Sequence, residues 1–169
     1  PGDLPALVAQ YIENLQVYGV SASTDLNGVA LQGEYTYRPR YPMQIDGGEF
    51  VAAAQYSPSA QVAAARAPGD IIRGWREMPV NQLQASVTKA FGRDNPFKAE
   101  ECLVAAEAAG IYVGHFPDKK DLRFEAPNTD LSAYNGVGSP KLRTTGWADR
   151  FSWGYVLATS LTYEQVIKN

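Results

Sequence analysis

The sequence has one cysteine and one histidine in 169 residues. Cys102 therefore has no partner for an internal disulfide. It reads as a plain thiol, buried or solvated, that only another chain could pair. Zinc needs several His, Cys or carboxylate ligands gathered together, so no metal or other cofactor is expected. His115 stands alone at the mouth of a loop and reads as a solvated histidine. A Ser-His-Asp triad would need a nucleophile beside it, and no Gly-x-Ser-x-Gly string is present. Glycine loops of the Walker or Rossmann type are missing too. No catalytic residue is assigned, and the chain reads as a non-enzyme. Basic excess is also lacking: 15 Lys and Arg against 18 Asp and Glu leave a net charge of −3. Nothing here would neutralise a phosphate backbone, so no nucleic-acid partner is expected. Finally, there is no run of about 18 or more apolar residues, which excludes a transmembrane helix. It does not exclude a transmembrane barrel, whose alternating strands average to a bland hydropathy.

What the sequence does have is the composition of a folded chain, 45% hydrophobic and 20% charged, and a marked period of two. Between 29 and 38, Val29, Leu31, Gly33, Tyr35 and Tyr37 fall on one face. Ala30, Gln32, Glu34, Thr36 and Arg38 fall on the other. Successive side chains of a strand point to opposite sides, so this pattern predicts a strand with one apolar and one polar face. Residues 16–24 alternate likewise, with Tyr18, Val20 and Ala22 opposed by Gly19, Ser21 and Ser23. Between the two lies Asp25-Leu26-Asn27-Gly28, and Asn-Gly favours the positive φ of a tight hairpin turn.

Residues 151–163 carry Phe151, Trp153, Tyr155, Leu157, Thr159, Leu161 and Tyr163 on one face. That alternation outruns the about five or six residues of an ordinary strand and suits a tilted membrane strand of roughly 9–11. Strands are also predicted over 82–91 and 103–113. The second is alanine-rich, and helix propensity competes over 99–109. Gly110-Ile111-Tyr112-Val113-Gly114 tips the reading to strand. The intervening connections alternate short and long, with long loops at 39–81 and 115–149. Short alanine-rich helix is anticipated at 50–56 and 61–66. Pro39-Arg40-Tyr41-Pro42 reads as a strand stop. Asp46-Gly47-Gly48-Glu49 and Asp118-Lys119-Lys120-Asp121 lack the spacing of a calcium loop and read as solvated turns.

Alternating short turns and long loops is the rhythm of outer-membrane barrels, whereas soluble domains seldom carry two long structureless loops. Up-and-down order would bring Tyr35 and Tyr37, then Tyr112, then Phe151, Trp153 and Tyr155 to one rim. Amphipathic rings favour the membrane–water boundary, so these residues form a candidate aromatic girdle. Phe91 and Tyr163 would mark the opposite rim, with Lys89 able to snorkel. Alternation alone fits a β-sandwich core equally well; loop rhythm and rim clustering favour the barrel.

Four strings carry a family resemblance: VYGVSASTDLNGVALQGEYTYRP (17–39), GWREMPVNQLQASVTKAF (74–91), AEAAGIYVGHFPDKKDLRFEAP (106–127) and DRFSWGYVLA (149–158). Together they resemble the C-terminal half of the large proteobacterial proteins grouped as domain of unknown function 1302. The resemblance covers most of the chain outside 42–72. It implies a secreted outer-membrane barrel several times longer than this chain, passing small solutes, hydrophobic ones among them. It carries over no catalytic residue. It also implies that the chain is a fragment, in keeping with a start at Pro1 that shows neither initiator methionine nor signal peptide.

The expected fold is thus all-β: antiparallel up-and-down strands forming part of a barrel in the bacterial outer membrane. Outer-membrane lipid and the remaining barrel strands, or other chains, are the expected partners. Five strands cannot close a barrel, for which bacterial examples begin at about eight. Gln32, Glu34 and Arg38 share one strand face, and alternation places Gln84 and Glu107 on the same side. These five are the candidate lumen-facing residues, since charges inside a barrel tune which solutes pass. The plainer alternative is that they solvate the exposed face of a sheet. Two other functions stay open: a cell-surface assembly component that pairs with other chains, and a soluble β-sandwich binding module.

Overall fold

The computed structural model describes residues 6, 8–47, 69–119, 121–124 and 147–164. Five strands follow one another: β1 (Tyr18–Leu26), β2 (Val29–Gln44), β3 (Trp75–Phe91), β4 (Glu101–Val113) and β5 (Phe151–Thr162). They form one open antiparallel up-and-down sheet in the order β1-β2-β3-β4-β5. The fold is all-β, as the alternation predicts. The anticipated helices at 50–56 and 61–66 lie outside the described residues.

The β1–β2 hairpin closes as tightly as Asn-Gly allows. Leu26 pairs with Val29, so only Asn27 and Gly28 turn the chain. Both have positive φ, 55° and 75°. That matches the right-handed twist of the flanking strands. The Asp25 carboxylate accepts the Gly28 N–H at 2.9 Å and fixes the turn. In β4, pairing overrides the helix propensity of alanine. Residues from Glu101↔Thr162 to Tyr112↔Phe151 join β5 without a break, and such tertiary pairing outweighs propensities of tenths of a kcal/mol.

Two boundaries differ from the sequence reading by more than two residues. Residues 39–44 and 75–81, expected in a loop, are strand. Pro39 and Pro42 do not stop β2, which runs through both. The β1 register ends at Tyr37, so beyond it β2 has no strand neighbour on that side among the described residues. A proline there forfeits no ladder bond. Residues three apart point their nitrogens to opposite sides of a strand, so this explains one proline of the two.

The β3–β4 connection is organised by Asn95. Its amide group donates to the carbonyls of Gly92 (2.7 Å) and Ala99 (2.8 Å). Its carbonyl accepts from the N–H groups of Phe97 (3.1 Å) and Ala99 (3.2 Å). One side chain thereby satisfies backbone groups at both ends of the loop. Asn95→Ala is expected to cost about 1–3 kcal/mol, because it strands the partly buried N–H and C=O of Ala99 together. Urea unfolding in detergent checks this; an unchanged midpoint would show that water replaces the side chain.

By packing, the chain divides into two compact units. The first comprises Pro1–Gln16, Pro39–Pro79 and Val113–Arg150. It has a dry core of Ile45, Met78, Val113, Phe116, Leu122, Phe124 and Trp147. The Phe116 and Phe124 rings lie 5.1 Å apart, and Ile45 bridges Phe124. The Arg123 guanidinium sits 5.4 Å from the centre of the Trp147 ring. The Gly114 N–H donates to Pro79 O at 2.8 Å. That approach needs glycine, since a Cβ would lie 2.8 Å from Pro79 Cγ. Asp46, read as part of a solvated turn, is buried instead. Its N–H donates to Arg123 O at 3.1 Å, so backbone pairing draws it into the core. Asp118 and Asp121 are exposed, as a solvated turn requires.

The second unit comprises Val17–Arg38, Val80–Tyr112 and Phe151–Asn169. Its buried apolar side chains, among the described residues, are Val80, Ala99 and the free Cys102. The rest of its sheet has no comparable core, and its two faces define the functional question.

Candidate functional site

In an antiparallel pair, directly opposed residues project from the same face. The register therefore sorts every side chain of the second unit. Tyr18↔Tyr37, Val20↔Tyr35 and Thr24↔Leu31 lie on one face, and Gly19↔Thr36, Ser21↔Glu34 and Ser23↔Gln32 on the other. Across β4 and β5, Tyr112↔Phe151, Gly110↔Trp153, Ala108↔Tyr155 and Ala106↔Leu157 share a face. Two side-chain bonds tie β3 into the same scheme. Tyr35 Oη donates to Asn81 Oδ1 at 2.6 Å on the aromatic face. Gln84 Nε2 donates to Glu107 Oε1 at 3.0 Å on the polar face.

The aromatic face is exposed. Leu157 keeps 69% of its surface, Tyr155 73% and Val20 65%. Tyr18, Tyr35, Leu83, Tyr112, Phe151 and Trp153 are exposed as well. Exposed apolar patches of this extent are uncommon on soluble monomers. All six candidate girdle residues lie on this face. Phe151 opposes Tyr112 at the junction of β4 and β5, and the Trp153 and Tyr155 rings stack with centroids 6.2 Å apart. Tyr35 and Tyr37 sit differently from the sequence reading. Because β2 continues to Gln44, they fall in its middle, opposite the start of β1. Lys89 and Tyr163, assigned to the opposite rim, find local partners. The Lys89 ammonium lies 4.9 Å from the Phe91 ring centre, and Tyr163 Oη donates to Phe97 O at 3.0 Å.

The polar face brings the five candidate lumen residues onto one side of the sheet. A belt runs across four strands: Ser21 opposite Glu34, then Gln84 bonded to Glu107. Ser21, Ser23, Gln32, Glu34, Gln84 and Ser86 line an open concavity of about 390 Å³. Arg38 Nη1 donates to Gln82 Oε1 at 3.4 Å and to Thr36 Oγ1 at 3.5 Å. Arg38 thus joins amide and hydroxyl neighbours, and these two bonds lie at the weak end of the range. The serines were not singled out from the sequence. Their signal is present there all the same, since Ser21 and Ser23 oppose the apolar positions of their strand. Toward β5 the polar character fades, and Leu103, Ile111 and Val156 share this side. His115 is exposed in the turn after β4, at φ 53°. Among the described residues, no three His, Cys, Asp or Glu side chains are placed to hold a metal ion. No described helix is long and apolar enough to cross a membrane, which leaves strand crossing open.

Residues 2–169 match the family described as "Protein of unknown function (DUF1302)". No curated protein and no solved structure matches the chain.

Proposed function

Since the chain belongs to the DUF1302 family, whose description names no activity, we propose a function from the two faces of its sheet: it is a non-enzymatic segment of an outer-membrane β-barrel through which small solutes pass. The aromatic face meets lipid and the serine–glutamate–glutamine belt meets an aqueous lumen. The observation that carries this is the exposed aromatic face backed by a polar one. A soluble sheet with one polar face buries the other, whereas a barrel wall turns its apolar side to hydrocarbon. Small polar solutes suit the belt better than hydrophobic ones. Hydroxyl, amide and carboxylate groups would lose hydration to an apolar solute and gain no hydrogen bond in return. The first test is size-exclusion chromatography with light scattering, with and without detergent. Ordering only in detergent is expected. A soluble monomer with a cooperative unfolding transition would replace the barrel by a sandwich module. A defined water-soluble complex with other chains would favour the assembly role.

Glu34 and Glu107 are the two carboxylates in the middle of the polar face. If they border the lumen, each favours cations over anions. A unit charge acts on an ion about 4 Å away with about 1 kcal/mol even in water. Glu34→Lys or Glu107→Lys is therefore expected to move the cation-to-anion permeability ratio of the assembled barrel toward anions by about five-fold or more. Reversal potentials in planar bilayers measure this. A folded variant with unchanged selectivity would remove Glu34 and Glu107 from the lumen.

A further inference from the structure

The cation preference of Glu34 and Glu107 acts at a distance and distinguishes only the sign of a charge. The concavity beside Glu34 adds shape and hydrogen-bonding groups, and those can distinguish one solute from another. Its volume of about 390 Å³ falls at the small end of the roughly 300–1,000 Å³ of small-molecule sites. Three strands build it: Ser21 and Ser23 come from β1, Gln32 and Glu34 from β2, and Gln84 and Ser86 from β3. The register opposes Ser21 to Glu34 and Ser23 to Gln32. The short serines leave room beside the longer glutamate and glutamines.

The groups whose hydrogen-bonding sense is set are acceptors. Gln84 Nε2 donates to Glu107 Oε1 at 3.0 Å, which orients the amide and leaves its carbonyl oxygen to accept. The ionised Glu34 carboxylate only accepts, and it has no ion pair or hydrogen bond among the described residues. The serine hydroxyls can donate or accept. Charge points the same way. On this face of the second unit stand the carboxylates of Asp25, Glu34, Glu101 and Glu107. Among the described residues, Arg38 is the cation that shares the face. It lies about 13 Å along β2 from Glu34 and is engaged with Gln82 and Thr36. An anionic solute would therefore meet acceptors and like charge. A metal ion would find too few ligands, since no three described His, Cys, Asp or Glu side chains gather. A primary ammonium fits both requirements: it carries a positive charge and three N–H donors, and its bond to a carboxylate is charge-assisted.

We infer that this concavity is a saturable station for small primary amines, with the ammonium paired to Glu34 and its remaining N–H groups donated to serine hydroxyls and the Gln84 carbonyl oxygen. This names the substrate class of the passage proposed above and rests on the barrel reading.

The test reconstitutes the assembled barrel in proteoliposomes and follows the uptake of three small probes of similar size. Ethanolamine is a cation at neutral pH, ethylene glycol is neutral and glycolate is an anion. Ethanolamine entry is expected to saturate in the millimolar range. Below saturation it should exceed ethylene glycol entry about ten-fold, with glycolate slowest. Glu34→Gln keeps the shape and removes the charge, and is expected to lower ethanolamine entry about ten-fold. Ser21→Ala combined with Ser23→Ala keeps the charge, and is expected to raise the half-saturating ethanolamine concentration about three-fold or more. A charge acting only at a distance would not respond to the loss of two hydroxyls. Ethanolamine entry that rises linearly with concentration, or that ignores either variant, would overturn the station and leave the barrel reading standing. Saturable entry of ethylene glycol above that of ethanolamine would overturn the amine assignment in favour of a polyol. An ordered protein that passes neither potassium, chloride nor any of the probes would overturn the barrel reading, and the station with it.

Discussion

Replacing Leu157 by lysine is expected to destabilise the protein in lipid by about 2–4 kcal/mol, the cost of a lysine at the bilayer midplane of a transmembrane barrel. Leu157 lies in the middle of β5, on the aromatic face, opposite Ala106. With 69% of its surface exposed, it touches little of its own chain. The same substitution on a water-washed face would change stability by no more than about 0.5 kcal/mol. The environment outside the sheet therefore decides the size of the effect. Ser160, paired with Leu103 on the opposite face, supplies the control. Ser160→Lys places the same charge on the same strand but toward the lumen side, where it is expected to be tolerated. Urea unfolding in phospholipid vesicles measures both. Equal, small shifts for the two variants would mean that the aromatic face does not meet lipid.

Phe124→Ala is expected to cost about 3–5 kcal/mol, the range for emptying a buried phenylalanine site. Phe124 has no exposed surface. Its ring packs at a tilt against Phe116 with centroids 5.1 Å apart, so truncation removes that contact and leaves a cavity in the core of the first unit, while the backbone bridge to Ile45 remains. Trp147, buried in the same core, is a built-in reporter. Its emission should shift to the red as water enters. The urea midpoint followed by tryptophan fluorescence reads the loss. A midpoint equal to that of the wild type would mean that the core collapses around the gap at no cost. The two substitutions probe different physics: Leu157 tests the solvent around an exposed sheet face, and Phe124 tests a core that is dry.

Local signals explain why so much of the sheet was legible. Alternation at 29–38 and 151–163 is a property of neighbouring residues, and the strand geometry that produces it needs no distant partner. Asn27-Gly28 closes the hairpin because those two residues accept positive φ more readily than others. The same alternation put Gln32, Glu34, Arg38, Gln84 and Glu107 on one side. Alanine-rich β4 was the hardest element, since its own preference is helical and only the β5 ladder decides against it. The family match over residues 2–169 agrees with the resemblance carried by the four strings.

The sequence by itself determined the all-β class, the five strands, the tight hairpin and the polar–aromatic division of the faces, because each follows from side-chain alternation or from the φ a residue tolerates. Only the tertiary structure decided that β2 runs on through Pro39 and Pro42, that Asp46 is buried, and that Phe116, Phe124 and Trp147 build a separate core. It alone drew Ser21, Glu34, Gln84 and Glu107 into one belt. Those outcomes depend on which backbone groups meet across tens of residues of chain, and no window of neighbouring residues contains that information.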